Sequence, residues 1–366
     1  MRVDRLETDG FRNLMSGCFC PTDGVNILFG QNAQGKTNLL EAVWLFTGGR
    51  SFRGSRDSDM IRFGGEMARL RLDFEARDRV QQADIRIGAR RLASLNGVQQ
   101  KSAARLAGQF CGVIFSPAHL SLIQDGPEGR RRFLDGAYCQ LRPGYLSVLA
   151  DYQRTLLQRN TLLKTIRKSG GSPSLLDIWD QKLAETGARV VLARQRYVRR
   201  LEPQAGEIYR GLSGGREELT LTYQCTGIPE ETAEGQLVSR LYDAVFGART
   251  ADIAAGFSTV GPHRDDLSVC INGLSARTFG SQGQQRSAVL ALKLSEASVL
   301  REVTGEQPVA LLDDVMSELD ESRQDYILNH IHGWQVLITC CEPSAVLRLT
   351  GGATFHVKQG YIQRVS

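Results

Sequence analysis

The residues best suited to chemistry are Gly30, Gln31, Asn32, Ala33, Gln34, Gly35, Lys36 and Thr37. Their spacing fits G-x-x-x-x-G-K-[ST], in which glycines let backbone N–H groups turn toward phosphate, the lysine reaches the β/γ-phosphates and the hydroxyl ligates Mg2+. That metal needs a carboxylate as well. Near the other end of the chain the apolar run Val309, Ala310, Leu311, Leu312 ends in Asp313 and Asp314, which makes Asp313 the expected Mg2+ partner of Thr37. Asp314 would orient or deprotonate the water that attacks a γ-phosphate, so Lys36 and Asp314 are the expected catalytic residues, and ATP and Mg2+ the expected cofactors. A lysine flanked by glycines has no common structural reason to sit in such a loop, and the phosphate reading outweighs a chance match.

These groups work together only if a strand delivers the loop and a helix follows it. Val25, Asn26, Ile27, Leu28 and Phe29 form an apolar run that opens into the loop, and residues 38–46 continue as a helix closed by Gly48 and Gly49. Because the acidic strand comes so much later, everything between must leave the nucleotide fold and return. Residues 69–74 and 83–87 alternate as strands do, and Asn96-Gly97 supplies a hairpin turn, which predicts an antiparallel β-layer beside the nucleotide core. From about residue 128, helical periodicity runs through 145–167 and 175–212, broken by Ser169, Gly170, Gly171, Ser172 and Pro173. A short helical hairpin arm follows from this, and its irregular apolar spacing does not suit a long heptad coiled coil. Strand signals return at 219–223 and 257–260, and Asn272-Gly273 marks another hairpin. The expected division of this α/β chain is an N-terminal part of the nucleotide head over 1–125, an inserted, mainly helical lobe over 126–250 and a C-terminal part of the head over 251–366.

A chain of 366 residues with 42% hydrophobic residues suffices for about two domains and a sizeable core. It contains no apolar run of roughly 18 residues. Charges among Met1, Arg2, Val3, Asp4, Arg5, Leu6 and Glu7 leave no core for a signal peptide, so a cytoplasmic protein without a membrane partner is expected. The eight cysteines are scattered; the nearest pairs, Cys18 with Cys20 and Cys340 with Cys341, lack zinc-ligand spacing, which predicts reduced, mostly buried thiols. A net charge of +5 permits an acidic partner without demanding one.

The return section places Ser281, Gln282, Gly283, Gln284 and Gln285 before a long helix, then the acidic strand, then Ser317-Glu318-Leu319-Asp320 and the strand 335–339. A serine hydroxyl, a glycine N–H and the positive end of a helix make an anion site; an ordinary polar cap is the alternative, and the acidic strand some thirty residues on favours the anion site. This order resembles that of an ABC-type ATPase head. The resemblance implies that Ser281, Gly283 and Gln285 meet the γ-phosphate held by a second subunit, that Asp320 crosses the same interface, and that the dimer sandwiches two ATP molecules. ABC ATPases usually carry glutamate where Asp314 stands, so the shorter acid implies slow hydrolysis. Transporters carry a switch histidine where this chain has Thr339-Cys340-Cys341; the threonine hydroxyl could still donate to phosphate.

The resemblance narrows further on residues 30–42, Ser51-Phe52-Arg53, Ser116-Pro117, Gly126-Pro127-Glu128-Gly129-Arg130-Arg131-Arg132-Phe133-Leu134-Asp135 and Gly261-Pro262-His263-Arg264-Asp265-Asp266-Leu267. Together these resemble the RecF family of bacterial DNA repair proteins, over nearly the whole chain. That resemblance implies an SMC-like head with a lobe, an ATP-dependent homodimer, slow DNA-stimulated hydrolysis, and recombinase loading with RecO and RecR in repair and replication-fork maintenance. RecF-like proteins commonly lack the switch histidine. Arg130, Arg131 and Arg132, and the arm's Arg154, Arg159, Lys164, Arg167, Lys168, Arg194, Arg196, Arg199 and Arg200, are expected to meet the backbone of single-stranded or duplex DNA without base readout. For any one of them the alternative is a solvated helix face. His263 and Arg264 suit a nucleotide or interface role and a simple turn equally. Two rival readings remain: the ATPase subunit of a membrane transporter, which would need coupling helices, and a P-loop kinase, which would not need the Ser-x-Gly-x-Gln motif, or a nuclease component, which would show a further metal-binding carboxylate cluster.

Overall fold

The computed structural model describes residues 1–230, 232–343 and 352–365. Two compact units emerge, the first made of Met1–Ser121, Glu207–Arg216 and Arg286–Ser366, the second of Leu122–Gly206 and Glu217–Gln285. The expected return to the head at 251 falls inside the second unit. The strand Leu219–Gln224 pairs there with Asp266–Ile271, and that ladder keeps both flanks together.

In the first unit the run before the phosphate loop becomes the strand Val25–Phe29. It lies inside a six-stranded sheet ordered Tyr361–Arg364, Ala353–Lys358, Val25–Phe29, Val336–Cys340, Val309–Asp313, Gly112–Phe115. All pairs but the terminal hairpin are parallel. Strands buried on both faces need continuous apolar runs, as in 309–312 and 336–338. Their shared direction brings the C-terminal ends of Val25–Phe29, Val336–Cys340 and Val309–Asp313 to one edge, the usual ligand edge of such sheets.

The predicted β-layer is a second, antiparallel sheet in the order Gly17–Phe19, Arg2–Asp9, Ala68–Ala76, Arg79–Ile87, Arg91–Leu95, Val98–Gln100. Asn96 and Gly97 have φ of 50° and 77°, and Asn272 and Gly273 have 50° and 76°, the paired left-handed values that a two-residue hairpin requires. Val3, Leu6, Leu70 and Phe74 of this layer share one apolar core with Leu39 of the helix Lys36–Trp44 and with Leu311 and Leu337 of the parallel sheet. That packing fixes the loop between strand and helix.

The second unit holds the helices Pro127–Leu141, Tyr145–Ser169, Leu237–Gly247 and Arg249–Ala255, most of the helix Asp177–Leu212, and a three-stranded antiparallel sheet. The hairpin arm is closed by Leu163, Ile166 and Leu176. No strand forms at 257–260, contrary to the periodicity. The N–H groups of Ser258 and Thr259 donate to the side chains of Asn160 and Asp252, so no ladder can claim them. Among the eight free cysteines, Cys111, Cys139 and Cys340 are buried, whereas Cys18, Cys20 and Cys341 are exposed at strand edges or ends; the expectation of mostly buried thiols therefore fails. Among the described residues no helix is long and apolar enough to cross a membrane.

Candidate functional site

The phosphate loop is built from unusual backbone. Gly30 and Gly35 have φ of 149° and 116°, and a Cβ on Gly30 would lie 2.3 Å from the Val357 carbonyl oxygen. Only glycine fits there. Gln31, Asn32 and Ala33 are exposed, Gln34 half-buried, and Ala33 itself is left-handed at 65°. Lys36 is buried, with Nζ donating to the carbonyls of Gly30 at 2.5 Å and Gln31 at 3.0 Å, so its charge sits inside the loop. The helix Lys36–Trp44 starts without a side-chain cap and without an acid in its first turn. Its first N–H groups and its dipole are thus directed at whatever the loop holds, an arrangement suited to phosphate.

Thr37 Oγ1 donates to Asp313 Oδ1 at 2.8 Å across a separation of 276 positions. This joins the two sequence fragments in one site. Burial raises the Asp313 carboxyl above its ordinary range, against the opposing hydrogen bonds of Thr37 and Thr339 and with a further rise from Asp314. A buried acid beside a hydroxyl offers two hard oxygens, the donor set that Mg2+ takes, so these residues fit that ion. Asp314 is half-buried at a left-handed φ of 50°, and its Oδ1 accepts from Ser317 Oγ at 3.3 Å.

The Thr339 hydroxyl, which could have donated to a phosphate, is turned to the acids instead. The parallel register sets it opposite Asp313, where its hydroxyl donates to Asp313 Oδ1 at 3.0 Å and accepts from the Asp314 N–H at 2.8 Å. It orients the acids and has no proton left for a phosphate.

In the second unit Ser281 is exposed and caps the helix Gln282–Thr304. Its Oγ accepts from the Gln284 N–H at 3.2 Å, while Gln284 Oε1 accepts from the Ser281 N–H at 2.7 Å. Gly283 is half-buried beside it. Gln285, expected to face nucleotide, instead points inward: it accepts from Gln124 at 2.7 Å and donates to the carbonyls of Ala276 and Arg277. Its amide is spent on bracing the helix start. In the first unit Asp320 caps the helix Glu321–His330, accepting from the Arg323 N–H at 3.0 Å and pairing with the Arg323 guanidinium. The Arg323 N–H is the main cause of its lowered pKa.

Several supporting residues gain their place at the site only from the fold, although Asn38, Ser51, Arg53 and Ser116 lie in segments that carry the family resemblance. Asn13 donates to the Ala33 carbonyl at 2.8 Å, Asn38 to Asn13 at 2.7 Å, and Arg53 to Asn38 at 2.9 Å, a relay from an exposed guanidinium to the loop. The Ser51 hydroxyl donates to buried Glu41 and accepts from the N–H of Arg53 and Ser55, which orders the segment that carries Arg53. On the far side Gln34 accepts from the N–H groups of Gln359 and Gly360. The register of Leu312 against Phe115 also brings Ser116 to the ligand edge, bonded to His119 Nδ1 at 2.9 Å. Parallel strand order was the signal that could have found it.

The arginines proposed for DNA separate sharply. Arg130 is 3% exposed, with Nε and Nη2 on Asp266 at 2.7 and 2.8 Å and Nη1 on three carbonyls. Arg159 is fully buried between Asp180 and Asp252, each at 2.6 Å, and Arg194 is forked onto Asp135. All three are buried and spent on acids, Arg159 on two buried ones and Arg130 and Arg194 on half-buried ones. Arg131 is half-buried, Arg132 is exposed beside Glu128, Arg196 and Arg199 face Glu234, and Arg154, Lys164, Arg167, Lys168 and Arg200 are exposed.

A P-loop strand, an acidic strand separated from it by one parallel strand of the same sheet, an antiparallel layer and a serine-capped helix define an ABC-type ATPase head. Solved SMC heads share the fold: one from Pyrococcus furiosus covers 100% of this chain at a TM-score of 0.55 and 15% identity. No protein-family model matches. The DNA replication and repair protein RecF of Caldanaerobacter subterraneus subsp. tengcongensis is 38% identical, covering 100% of both chains. That of Symbiobacterium thermophilum is 42% identical over 93% of this chain and 92% of its own. A solved structure of the recombination mediator protein RecF-ATP in the RecFOR pathway is 37% identical, with a TM-score of 0.93 over 100% of this chain and 98% of its own. The chain belongs to the RecF family.

Proposed function

We propose that this chain is an ATP-gated DNA clamp of recombinational repair, in which two copies close around two ATP molecules. The observation that carries the reading is the Thr37–Asp313 bond, which joins the phosphate loop to the acidic strand end from opposite ends of the chain. The RecF-ATP relative supports ATP as the nucleotide. Gly30 to Gly35 would present backbone N–H groups to phosphate, and Lys36 would exchange its loop carbonyls for the outer phosphates. Thr37 and Asp313 would hold Mg2+, which when bound neutralises phosphate charge. Thr339 fixes Asp313 and Asp314, and Asp314 holds the attacking water and takes its proton, so slow, DNA-stimulated hydrolysis reopens the clamp.

The second copy supplies Ser281 and Gly283, with Gln285 bracing them from within. Frames of this kind let ATP act as the glue of the dimer. Exposed cations of the second unit hold DNA by its backbone, and RecO and RecR join the clamp in the cytoplasm to load the recombinase. Mixing a Lys36→Ala protein with a Ser281→Arg protein tests the sandwich by sedimentation. Each variant alone is expected to lose ATP-dependent dimerisation, and the mixture to regain part of it through the one intact composite site. Dimerisation unaffected in both single variants would overturn the sandwich.

A further inference from the structure

We propose that Arg131 and Arg264, continued by Arg167 and Lys164, form a phosphate-binding stripe on the second unit that grips the backbone of duplex DNA. The inference rests on the DNA-clamp reading and assigns it a surface.

Among the described residues of this unit, the buried and half-buried cations other than Arg131 are matched to acids. Arg130 has Asp266, Arg159 has Asp180 and Asp252, Arg194 has Asp135, and Arg249 has Asp177 and Asp180. Arg131 and Arg264 have no ion pair among the described residues. Arg131 donates through Nη1 to the Asp265 carbonyl at 2.7 Å. The neighbouring carboxylate is turned away, with Oδ2 accepting from Tyr223 and Oδ1 from the Thr226 N–H. Burial, then Arg194, lowers the Arg131 pKa, the mark of a half-buried cation short of an anion. Arg264 is exposed, its guanidinium lying 5.0 Å above the Phe257 ring and 3.4 Å from the Ser258 carbonyl.

These groups are continuous along one segment. Arg167 Nη1 donates to the Ala255 carbonyl at 3.2 Å, and a Cβ on Gly256 would be 3.4 Å from Arg167 Nη1 and 3.6 Å from Lys164 Cγ. Phe257 comes next and carries Arg264. His263 follows the turn and feels both Arg264 and Arg131. Its Nε2 lies 2.9 Å from the Ser258 carbonyl, which can only accept, so Nε2 holds the proton and Nδ1 accepts from Tyr152 at 2.6 Å. The histidine is therefore a neutral strut that sets the spacing of two fork-shaped cations.

Guanidinium forks match phosphate oxygens in pairs, and a row of them suits the regular charge of a duplex. Arg264 lies over one face of the Phe257 ring, so this segment offers fixed cations ahead of an open aromatic platform, which favours duplex backbone over stacked single strands.

The test is anisotropy of a labelled DNA duplex with the full-length protein and ATP, across roughly 50 to 200 mM salt. The wild type is expected to lose affinity steeply with salt. In the double variant Arg131→Gln, Arg264→Gln the slope should be shallower by about 1.8, two phosphate contacts at roughly 0.9 each, with affinity at least about tenfold lower. Because Arg131 is half-buried, the exposed pair Arg264→Glu, Arg167→Glu serves as a second variant, with thermal melts as the folding check; it should weaken binding further. Wild-type slope and affinity in folded variants overturn the stripe and leave the clamp reading standing. A wild type that binds no duplex with ATP overturns both.

Discussion

At the nucleotide edge of the first unit, Lys36 and Asp313 are buried and bonded to carbonyls and hydroxyls, with no ion pair among the described residues. In the second unit Arg130, Arg159, Arg194 and Arg249 are held by carboxylates. The difference separates two uses of charge. A buried group kept from counter-ions is poised for a ligand, whereas a buried pair holds helices together and has nothing left to offer. By that criterion the half-buried Arg131, without an ion pair among the described residues, belongs with the nucleotide edge, and the exposed Arg264 extends it to the surface.

Arg159→Leu should give the largest effect, because it strands Asp252 as an uncompensated charge and leaves Asp180 with Arg249 alone. Unfolding of the second unit should become easier by about 3–5 kcal/mol in urea melts. A loss below about 1 kcal/mol would mean that the network is not structural cement. Lys36→Ala should leave melting nearly unchanged in the absence of nucleotide but weaken ATP binding by about 2–3 kcal/mol, the range for a charged hydrogen bond. Calorimetry checks this, and unchanged affinity would break the distinction at its clearest point.

His263 gives a smaller, pH-dependent effect. Burial, resisted by the bond to the Ser258 carbonyl, lowers its pKa from 6.5 to about 4. The unfolded chain therefore binds the extra proton first. Stability owed to the neutral ring is complete above pH 6.5 and is lost as pH falls toward 4. The wild type should lose that increment across this window and His263→Gln should not, so parallel stability curves would contradict the strut. Arg132→Ala should be the mildest, changing stability by less than about 0.5 kcal/mol, since its only acid is the exposed Glu128 one helical turn away.

The chemistry of the first unit was readable because its motifs have fixed spacing: Gly30 to Thr37 and Asp313 announce both their types and their roles. Thr339 was misread because its role depends on the register of a strand pair, which no local pattern encodes. Arg130, Arg131 and Arg132 are consecutive and chemically identical, yet a helix turns each by about 100° from the last, so one is buried, one half-buried and one exposed. Gln285 turns inward for the same reason, while Gln284 bonds back to Ser281. The lost strand at 257–260 shows the limit of periodicity, since Asn160 of a distant helix and Asp252 of the helix just before it claim its backbone.

The central claim is that the nucleotide edge governs the hold on DNA. Equilibrium duplex binding, measured at one salt concentration with ATP, with ADP and without nucleotide, tests it most directly, with Lys36→Ala beside the wild type. Tight binding only for the wild type with ATP is the predicted result; equal affinity in all three states, or in both proteins, would contradict it.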